Sequence, residues 1–223
     1  MYRKLLTEIY ERLLARYGDP QWWPAKTPYE VIAGAVLTQN TAWGNVEKAL
    51  AGFGDKLSPE HVSSLDHTAL AGIIRPAGFF NQKAGYLQTV TSWFGLYGYS
   101  VETVQALPQD RVRSELLALK GIGPETADSI LLYAFGFPSF VIDAYTMRLM
   151  ERMPLPPARK YTLRKYEEAK AFFEQNLPRD EGLFNRFHAL IVLHAKAHCR
   201  KKPACDGCPV RDLCNYPGDE EDA

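Results

Sequence analysis

The chain has 223 residues, of which 46% are hydrophobic, so it can form one large domain or two small ones with a buried core. No apolar stretch is long enough to span a bilayer, and the basic start of the chain lacks the apolar segment of a signal peptide. We therefore expect a soluble cytoplasmic protein without a membrane partner. The 26 basic and 26 acidic residues give a formal net charge of zero, which by itself argues against a nucleic-acid-binding protein.

The charge is unevenly distributed along the chain. The tail Asp219–Asp222 holds four of the acidic residues, so residues 1–218 carry 26 basic against 22 acidic residues, a net charge of +4. Basic residues also cluster at 159–160, 164–165 and 200–202. Such clusters are usually solvated faces, so they give only weak support for a polyanionic partner. We expect the acidic tail to be disordered.

Helical periodicity runs through almost the whole chain, and strand-like alternation is scarce, which predicts an all-α fold. The first helix is predicted over 3–17, and Thr27-Pro28-Tyr29-Glu30 predicts a capped helix start. The same criteria predict further helices at 42–53, from Ser58 onward, and at 66–74, 80–97, 109–118, 124–135, 144–152, 161–176 and 181–197. The proline-rich segment 153–157 is a candidate turn or linker between two of them.

A glycine-rich turn is predicted between two helices at Lys120-Gly121-Ile122-Gly123. Glycine adopts backbone angles that other residues avoid and lets the backbone approach a ligand closely. Pro124 suits the first turn of the helix that follows, whose free N–H groups would form a phosphate site. The alternative is an ordinary glycine turn between packed helices, which is about as common.

Asp143 follows the apolar run 140–142 and directly precedes a predicted helix. An isolated aspartate at this position is usually only a helix N-cap. The two roles are compatible, because a helix N-terminus keeps a carboxylate ionised. An ionised carboxylate can stabilise an oxocarbenium ion or orient a water while a C–N bond breaks.

The four cysteines all lie near the end of the chain, at Cys199, Cys205, Cys208 and Cys214. Their spacing, C-x5-C-x2-C-x5-C, provides one complete four-thiolate ligand set. Such a set can hold zinc or an iron–sulfur cluster, and spacing alone does not separate the two. Disulfides are the weaker interpretation, because thiols stay reduced in the cytosol.

The motifs LKGIG, VIDAY and CRKKPACDGCPVRDLC, in this order, resemble the helix-hairpin-helix DNA glycosylases of the endonuclease III superfamily. The resemblance covers nearly the whole chain. It implies a six-helix barrel domain over 27–136 and a second helical domain over 1–26 and 137–223, with double-stranded DNA in the cleft between them. It also implies a [4Fe-4S] cluster on the four cysteines, with a flanking loop, Arg200, Lys201 and Lys202, that touches DNA.

The sequence departs from the family pattern in two places. Five residues separate Cys199 from Cys205, where the family usually has six. Members that also cleave the strand carry a lysine two residues after the second hairpin glycine, and this chain has Glu125 there. A carboxylate cannot form the Schiff base of that reaction, so the resemblance predicts base removal without strand cleavage. Lys120 precedes the hairpin and is expected to meet a phosphate or solvent.

Glu125, the segment LTQNT and the pair Trp22-Trp23 look like the bacterial 3-methyladenine DNA glycosylases of endonuclease III type. This likeness implies that Trp22, Trp23 and Glu125 lie at the base pocket, where aromatic faces would attract a cationic alkylated base. The alternative for the tryptophans is a hydrophobic anchor. Gln39 matches a family position that enters the duplex after base extrusion, with a buried, backbone-bonded amide as its alternative.

The sequence therefore predicts a monomeric, monofunctional glycosylase of base excision repair, close to the bacterial or archaeal nucleoid, with Asp143 as its catalytic carboxylate. Within this class, the alternatives are an endonuclease III-like enzyme for oxidised pyrimidines and a mismatch glycosylase. From other classes, they are a noncatalytic DNA-binding iron–sulfur protein and a zinc-stabilised helical adaptor.

Overall fold

In this computed structural model, which describes residues 1–20, 22–156 and 163–216, every regular element is helical. The helices are α1 Tyr2–Tyr17, α2 Pro28–Leu37, α3 Trp43–Ala51, α4 Pro59–Ser64, α5 His67–Ile73, α6 Phe80–Gly95, α7 Val101–Gln105, α8 Gln109–Ala118, α9 Pro124–Ser129, α10 Ala144–Arg152, α11 Leu163–Asn176 and α12 Glu181–Ala197. None of these described helices is long and apolar enough to cross a membrane. The acidic tail 219–222, the basic pair 159–160 and Pro157 lie outside the described residues.

The all-α fold class is confirmed, and most helix bounds agree with the sequence pattern to within a few residues. Polar caps explain much of this agreement: the Thr27 side chain accepts from the Glu30 amide, and Ser58 does the same for His61. Two features were not predicted. Helix α7 is only five residues long, too short for a periodic pattern, and α9 continues into a wider π-helical turn over Ile130–Ala134.

The chain divides into two compact units. The central unit is Trp23–Phe137, and the terminal unit combines Met1–Trp22 with Pro138–Ala223. These boundaries differ by a few residues from the domain boundaries that the sequence predicts.

The central unit is built around α2. Its residues 31–37 are all buried, because α2 packs against α3, α6 and the π-helical turn Ile130–Ala134. A helix that is apolar on every side can only be a core helix. An ion pair joins the helices on either side of the glycine turn: Arg113 of α8 donates two hydrogen bonds to the buried carboxylate of Asp128 in α9.

The terminal unit packs α12 against α1 and α10. Its core contains a cluster of aromatic rings, in which Phe140 stacks on Phe173 with ring centroids 4.2 Å apart. The Phe140 amide also donates to a carboxylate oxygen of Glu174 at 2.9 Å. These contacts anchor Phe140 in the core, three residues before Asp143, where α10 starts.

Candidate active site and nucleic-acid interface

Asp143 is the N-cap of α10. Its Oδ1 accepts a hydrogen bond from the Thr146 amide at 2.7 Å, and its side chain is 13% exposed. Burial by itself would raise the pKa of Asp143, but the neighbouring His188 imidazole and the hydrogen bonds with Thr146 outweigh burial and lower the pKa below its usual value. The carboxylate is therefore ionised at neutral pH and still touches solvent, as the predicted catalytic role requires.

His188 is a site residue that the sequence interpretation missed. It lies on α12, is 5% exposed, and places Nε2 at 3.5 Å from Oδ2 of Asp143. The sequence signal for His188 is that this titratable residue interrupts the otherwise apolar run Phe187–Val192. A buried polar side chain in such a run needs a polar partner, because burying it without one costs about 2 kcal/mol or more.

The predicted hairpin forms the turn between α8 and α9. Gly121 has φ +85°, a value that favours glycine, and Gly123 is the N-cap of α9 with φ −87°. Ile122 is buried, and its amide donates to Leu119 O at 3.1 Å, which closes the turn. Within this turn, the structure gives Ile122 a packing role, and the predicted phosphate contact of its amide stays a prediction, as do those of Gly121 and Gly123.

Gln39 contacts the hairpin directly. Its Nε2 donates to Gly121 O at 2.9 Å and to Thr126 Oγ1 at 3.0 Å. Gln39 is therefore a half-buried amide bonded to backbone, as one interpretation expects. It also lies beside the predicted phosphate site, where the DNA-binding interpretation would place it. Entry of Gln39 into a duplex stays a prediction, and it would require these two hydrogen bonds to break.

Two further residues of the central unit were not predicted. Phe79 is 66% exposed and has φ +46°, an uncommon backbone conformation for a bulky residue. Lys83 is buried, and its Nζ donates to Leu37 O at 2.8 Å and to Ala77 O at 2.7 Å. Lys83 thereby ties together the backbone just before Gln39 and just before Phe79.

The two neighbouring tryptophans have separate surroundings. Trp23 packs in the central unit, with ring centroids 5.3 Å from Trp43 and 5.0 Å from Tyr133. Trp22 belongs to the terminal unit, is half-buried, and has the Lys196 ammonium 5.9 Å from its ring centroid. The part of both tryptophans in a base pocket stays a prediction.

The two charged residues next to the hairpin differ in exposure. Lys120 is exposed just before the turn, and Glu125 is half-buried in the first turn of α9. Glu125 thus occupies the helical position at which the resemblance would place a Schiff-base lysine. The phosphate contact predicted for Lys120 and the pocket role predicted for Glu125 both stay predictions.

The four cysteines line one cavity of the terminal unit, and all four are free thiols. No group of three His, Cys, Asp or Glu side chains in the described ranges is arranged to hold a metal ion. The donor chemistry nevertheless fits a thiolate-bound group. Arg152 donates to the Cys199 sulfur at 3.2 Å, and the Tyr216 amide donates to the Cys214 sulfur at 3.4 Å. Such donors stabilise negative charge on sulfur.

Arginines of α10 hold the loop that follows Cys199. Arg148 donates to Cys199 O at 3.0 Å, and Arg152 donates to Arg200 O at 2.7 Å and to Lys201 O at 3.1 Å. The loop backbone is therefore fixed, while the side chains of Arg200, Lys201 and Lys202 remain exposed. Contact of these three cations with DNA stays a prediction.

A family model described as "HhH-GPD superfamily base excision DNA repair protein" matches residues 33–178. "Putative DNA repair glycosylase MJ1434" of Methanocaldococcus jannaschii is 44% identical over 215 residues, which make up 95% of this chain and 96% of that protein.

Similar solved structures include two DNA-repair enzymes. The 3-methyladenine DNA glycosylase MagIII of H. pylori, bound to 1,N6-ethenoadenine, has a TM-score of 0.69 and 28% identity, covering 87% of this chain and 95% of that one. A trapped endonuclease III–DNA covalent intermediate has a TM-score of 0.79 and 22% identity, covering 96% of each chain, which shows a shared fold.

These matches show that the chain is a base excision repair enzyme, a DNA glycosylase. Within that class, it belongs to the HhH-GPD superfamily and has the fold of endonuclease III, so the predicted family is confirmed.

Proposed function

We propose that this chain is a monofunctional glycosylase that removes an alkylated purine of the 3-methyladenine type from double-stranded DNA. The observation that carries the proposal is the carboxylate of Asp143 at the N-cap of α10, which is 13% exposed and whose pKa is held below its usual value by His188 and Thr146 against the effect of burial. Bond cleavage between base and sugar builds positive charge on the sugar, and a fixed anion stabilises that charge without having to reorganise.

An alkylated purine is the substrate class that needs the least additional chemistry. Its positive charge makes the base a good leaving group, so an anion near the sugar is sufficient and no strong general acid is required. Aromatic side chains attract cationic bases. The likeness to MagIII, solved with 1,N6-ethenoadenine, supports a modified purine. The alternative is an endonuclease III-like or mismatch substrate, favoured by the fold likeness to endonuclease III.

Glu125 carries the monofunctional part of the proposal. Strand cleavage by β-elimination needs an amine that forms a Schiff base with the opened sugar. The first turn of α9 offers a carboxylate at this position. The enzyme would then act through water and leave an intact strand with an abasic site.

The other parts of the proposal concern binding. Gly121, Gly123 and Lys120 would position a phosphate, and Arg200, Lys201 and Lys202 would add contacts that do not depend on sequence. Phe79, exposed on its strained turn, is suited to wedge into a base step. Cys199, Cys205, Cys208 and Cys214 would hold a [4Fe-4S] cluster, which would stabilise the terminal unit. The protein would act as a monomer.

The test is a panel of duplexes assayed with the wild type and Asp143→Asn. The substrates are methylated DNA and oligonucleotides that carry 1,N6-ethenoadenine, thymine glycol, uracil or a G·T mismatch. We expect release of methylated purines by the wild type, loss of turnover by at least about 100-fold in Asp143→Asn, and unchanged DNA affinity. Release of thymine glycol alone would overturn the substrate class.

Borohydride trapping on the same panel tests the monofunctional assignment. We expect no covalent protein–DNA adduct and no strand break until alkali is added. Glu125→Lys is the informative variant, because it places an amine at the position in question. A trapped adduct with the wild-type enzyme would contradict the role of Glu125.

A further inference from the structure

The two oxygens of the Asp143 carboxylate have different surroundings. Oδ1 is fixed by the Thr146 amide at 2.7 Å, a bond within the same helix that any N-cap aspartate makes. Oδ2 faces Nε2 of His188, which comes from a different helix, at 3.5 Å. Thr146 thus holds the carboxylate from within α10, and His188 is the group that α12 supplies to Oδ2.

His188 is built into the unit to make that contact. Helix α12 packs against α10, and its residues on either side of His188, among them Phe184, Phe187 and Ile191, are fully buried hydrophobics. A histidine in such a position loses its hydration and keeps its place only when a polar or charged group compensates for this loss. The carboxylate of Asp143 is such a group. His194, the other buried histidine of α12, lies at the cysteine cavity instead.

We propose that His188 is a positioning residue, which holds Oδ2 of Asp143 so that the carboxylate meets the sugar of the departing base in one fixed orientation. The proposal rests on the proposed glycosylase role of Asp143 and adds the group that orients it. The separation of 3.5 Å is long for a hydrogen bond. Contacts of this kind are often long in free enzymes and tighten when the substrate is bound.

A positioning role and a purely structural role make different predictions. If His188 only stabilised the fold, its replacement would lower the melting temperature and leave the properties of the folded enzyme unchanged. If His188 orients Asp143, a folded variant would bind ordinary DNA normally and would recognise the charged transition state less well. Misplacing a reacting group by about 1 Å can cost about 100-fold in rate.

The experiment measures the affinity for two uncleavable duplexes. One contains a pyrrolidine abasic analogue, which carries a positive charge where the oxocarbenium ion develops. The other contains the uncharged tetrahydrofuran analogue. The variants are His188→Leu, which removes the ring nitrogens, and His188→Gln, which keeps an N–H donor, with Asp143→Asn as the reference. Thermal unfolding of each variant measures the folded fraction.

We expect the wild type to prefer the pyrrolidine duplex, and His188→Leu to lose roughly 10-fold or more of this preference. His188→Gln should recover part of the loss, and affinity for the tetrahydrofuran duplex should stay within about 2-fold in every folded variant. An unchanged preference in His188→Leu would overturn the positioning role. If neither the wild type nor Asp143→Asn preferred the charged duplex, the proposed function of Asp143 would fail instead.

Discussion

At the scale of single residues, the balance of forces on Asp143 determines how the enzyme depends on pH. The pKa of this carboxyl is lowered because His188 and Thr146 favour the ionised form more than burial disfavours it. The base-removal step should therefore persist at low pH and fall only as the pH drops through this lowered pKa. Stability that depends on the same ionised form is lost in the same range.

Replacement of His188 should raise the pKa of Asp143. In His188→Leu, burial still raises the pKa of Asp143 and one of the two opposing partners is gone. The acid limb of the single-turnover rate of base release should therefore move to higher pH than in the wild type. Rates measured from pH 4 to 8 on one substrate, with Lys48→Ala of α3 as an exposed control, would show the shift. An acid limb that stays in place would mean that His188 does not act on this carboxylate.

The two glycines of the hairpin differ in what a side chain at each position would meet. Alanine substitutions at the two positions therefore test how much the turn depends on glycine. A Cβ at Gly121 would lie 2.2 Å from the Tyr86 ring, and its φ of +85° is unfavourable for alanine. A Cβ at Gly123 would meet nothing within 4 Å. Gly121→Ala should thus cost about 2 kcal/mol or more in the free energy of unfolding. Gly123→Ala should cost less than about 1 kcal/mol, from the poorer N-cap.

Urea denaturation of the two variants measures this difference. DNA affinity should fall with Gly121→Ala, because a displaced turn also moves the amides that would face the phosphate. Equal stability of the two variants would show that Tyr86 moves aside and that the turn is adaptable.

At the scale of helices, an ion pair joins α8 to α9, the two helices on either side of the hairpin. Arg113 reaches Asp128 of α9 with two bonds of 2.9 and 3.0 Å, and the Asp128 side chain is fully buried. Arg111, on the same helix, pairs at 2.9 Å with Glu115 and is mostly exposed. The two ion pairs have similar distances and differ in burial. Solvent screens the Arg111–Glu115 pair more than the Arg113–Asp128 pair.

Replacement of each arginine by alanine tests this contrast. Arg113→Ala strands a buried carboxylate and should cost about 3 kcal/mol or more of unfolding free energy, whereas Arg111→Ala should cost at most about 1 kcal/mol. Chemical denaturation of both variants is the measurement. If Arg113→Ala were as mild as Arg111→Ala, water would have to reach Asp128, and the hairpin would not depend on this pair for its geometry.

The helices themselves are predictable from sequence to the extent that their signals are local. Caps such as Thr27, Ser58 and Asp143 lie within three residues of the groups they bond, so the sequence reveals them. Helix α7 was not predicted because five residues are too few to show a helical period. Val104 is its one buried side chain, so no second apolar position repeats it along the helix.

The candidate site is less predictable because its contacts join distant segments. Gln39 meets Gly121 across 82 positions of sequence, and His188 meets Asp143 only because α12 packs against α10. No local rule connects such residues. Motif and spacing point to Asp143 and the four cysteines as candidates, but the partners of the aspartate and of the sulfurs emerge only from tertiary packing.

At the scale of the whole molecule, the two units have separate cores, so loss of the proposed cluster on the four cysteines should affect them unequally. The four cysteines, and Arg152 that links α10 to their loop, all belong to the terminal unit. Because binding of a group to thiolates contributes directly to folding free energy, Cys208→Ser should loosen this unit first. Lys201→Ser, an exposed change in the same loop, is the matched control.

Metal analysis, visible absorption and amide hydrogen exchange together test this prediction. Cys208→Ser should lose iron and the broad visible absorption, and amides of residues 194–216 and of the end of α10 should exchange much faster. Buried amides of α2 should keep their protection, because their core lies entirely within the central unit. Lys201→Ser should match the wild type in all three measurements. Stoichiometric zinc without iron in the wild type would contradict the cluster, and uniform loss of protection in Cys208→Ser would show that the units unfold as one.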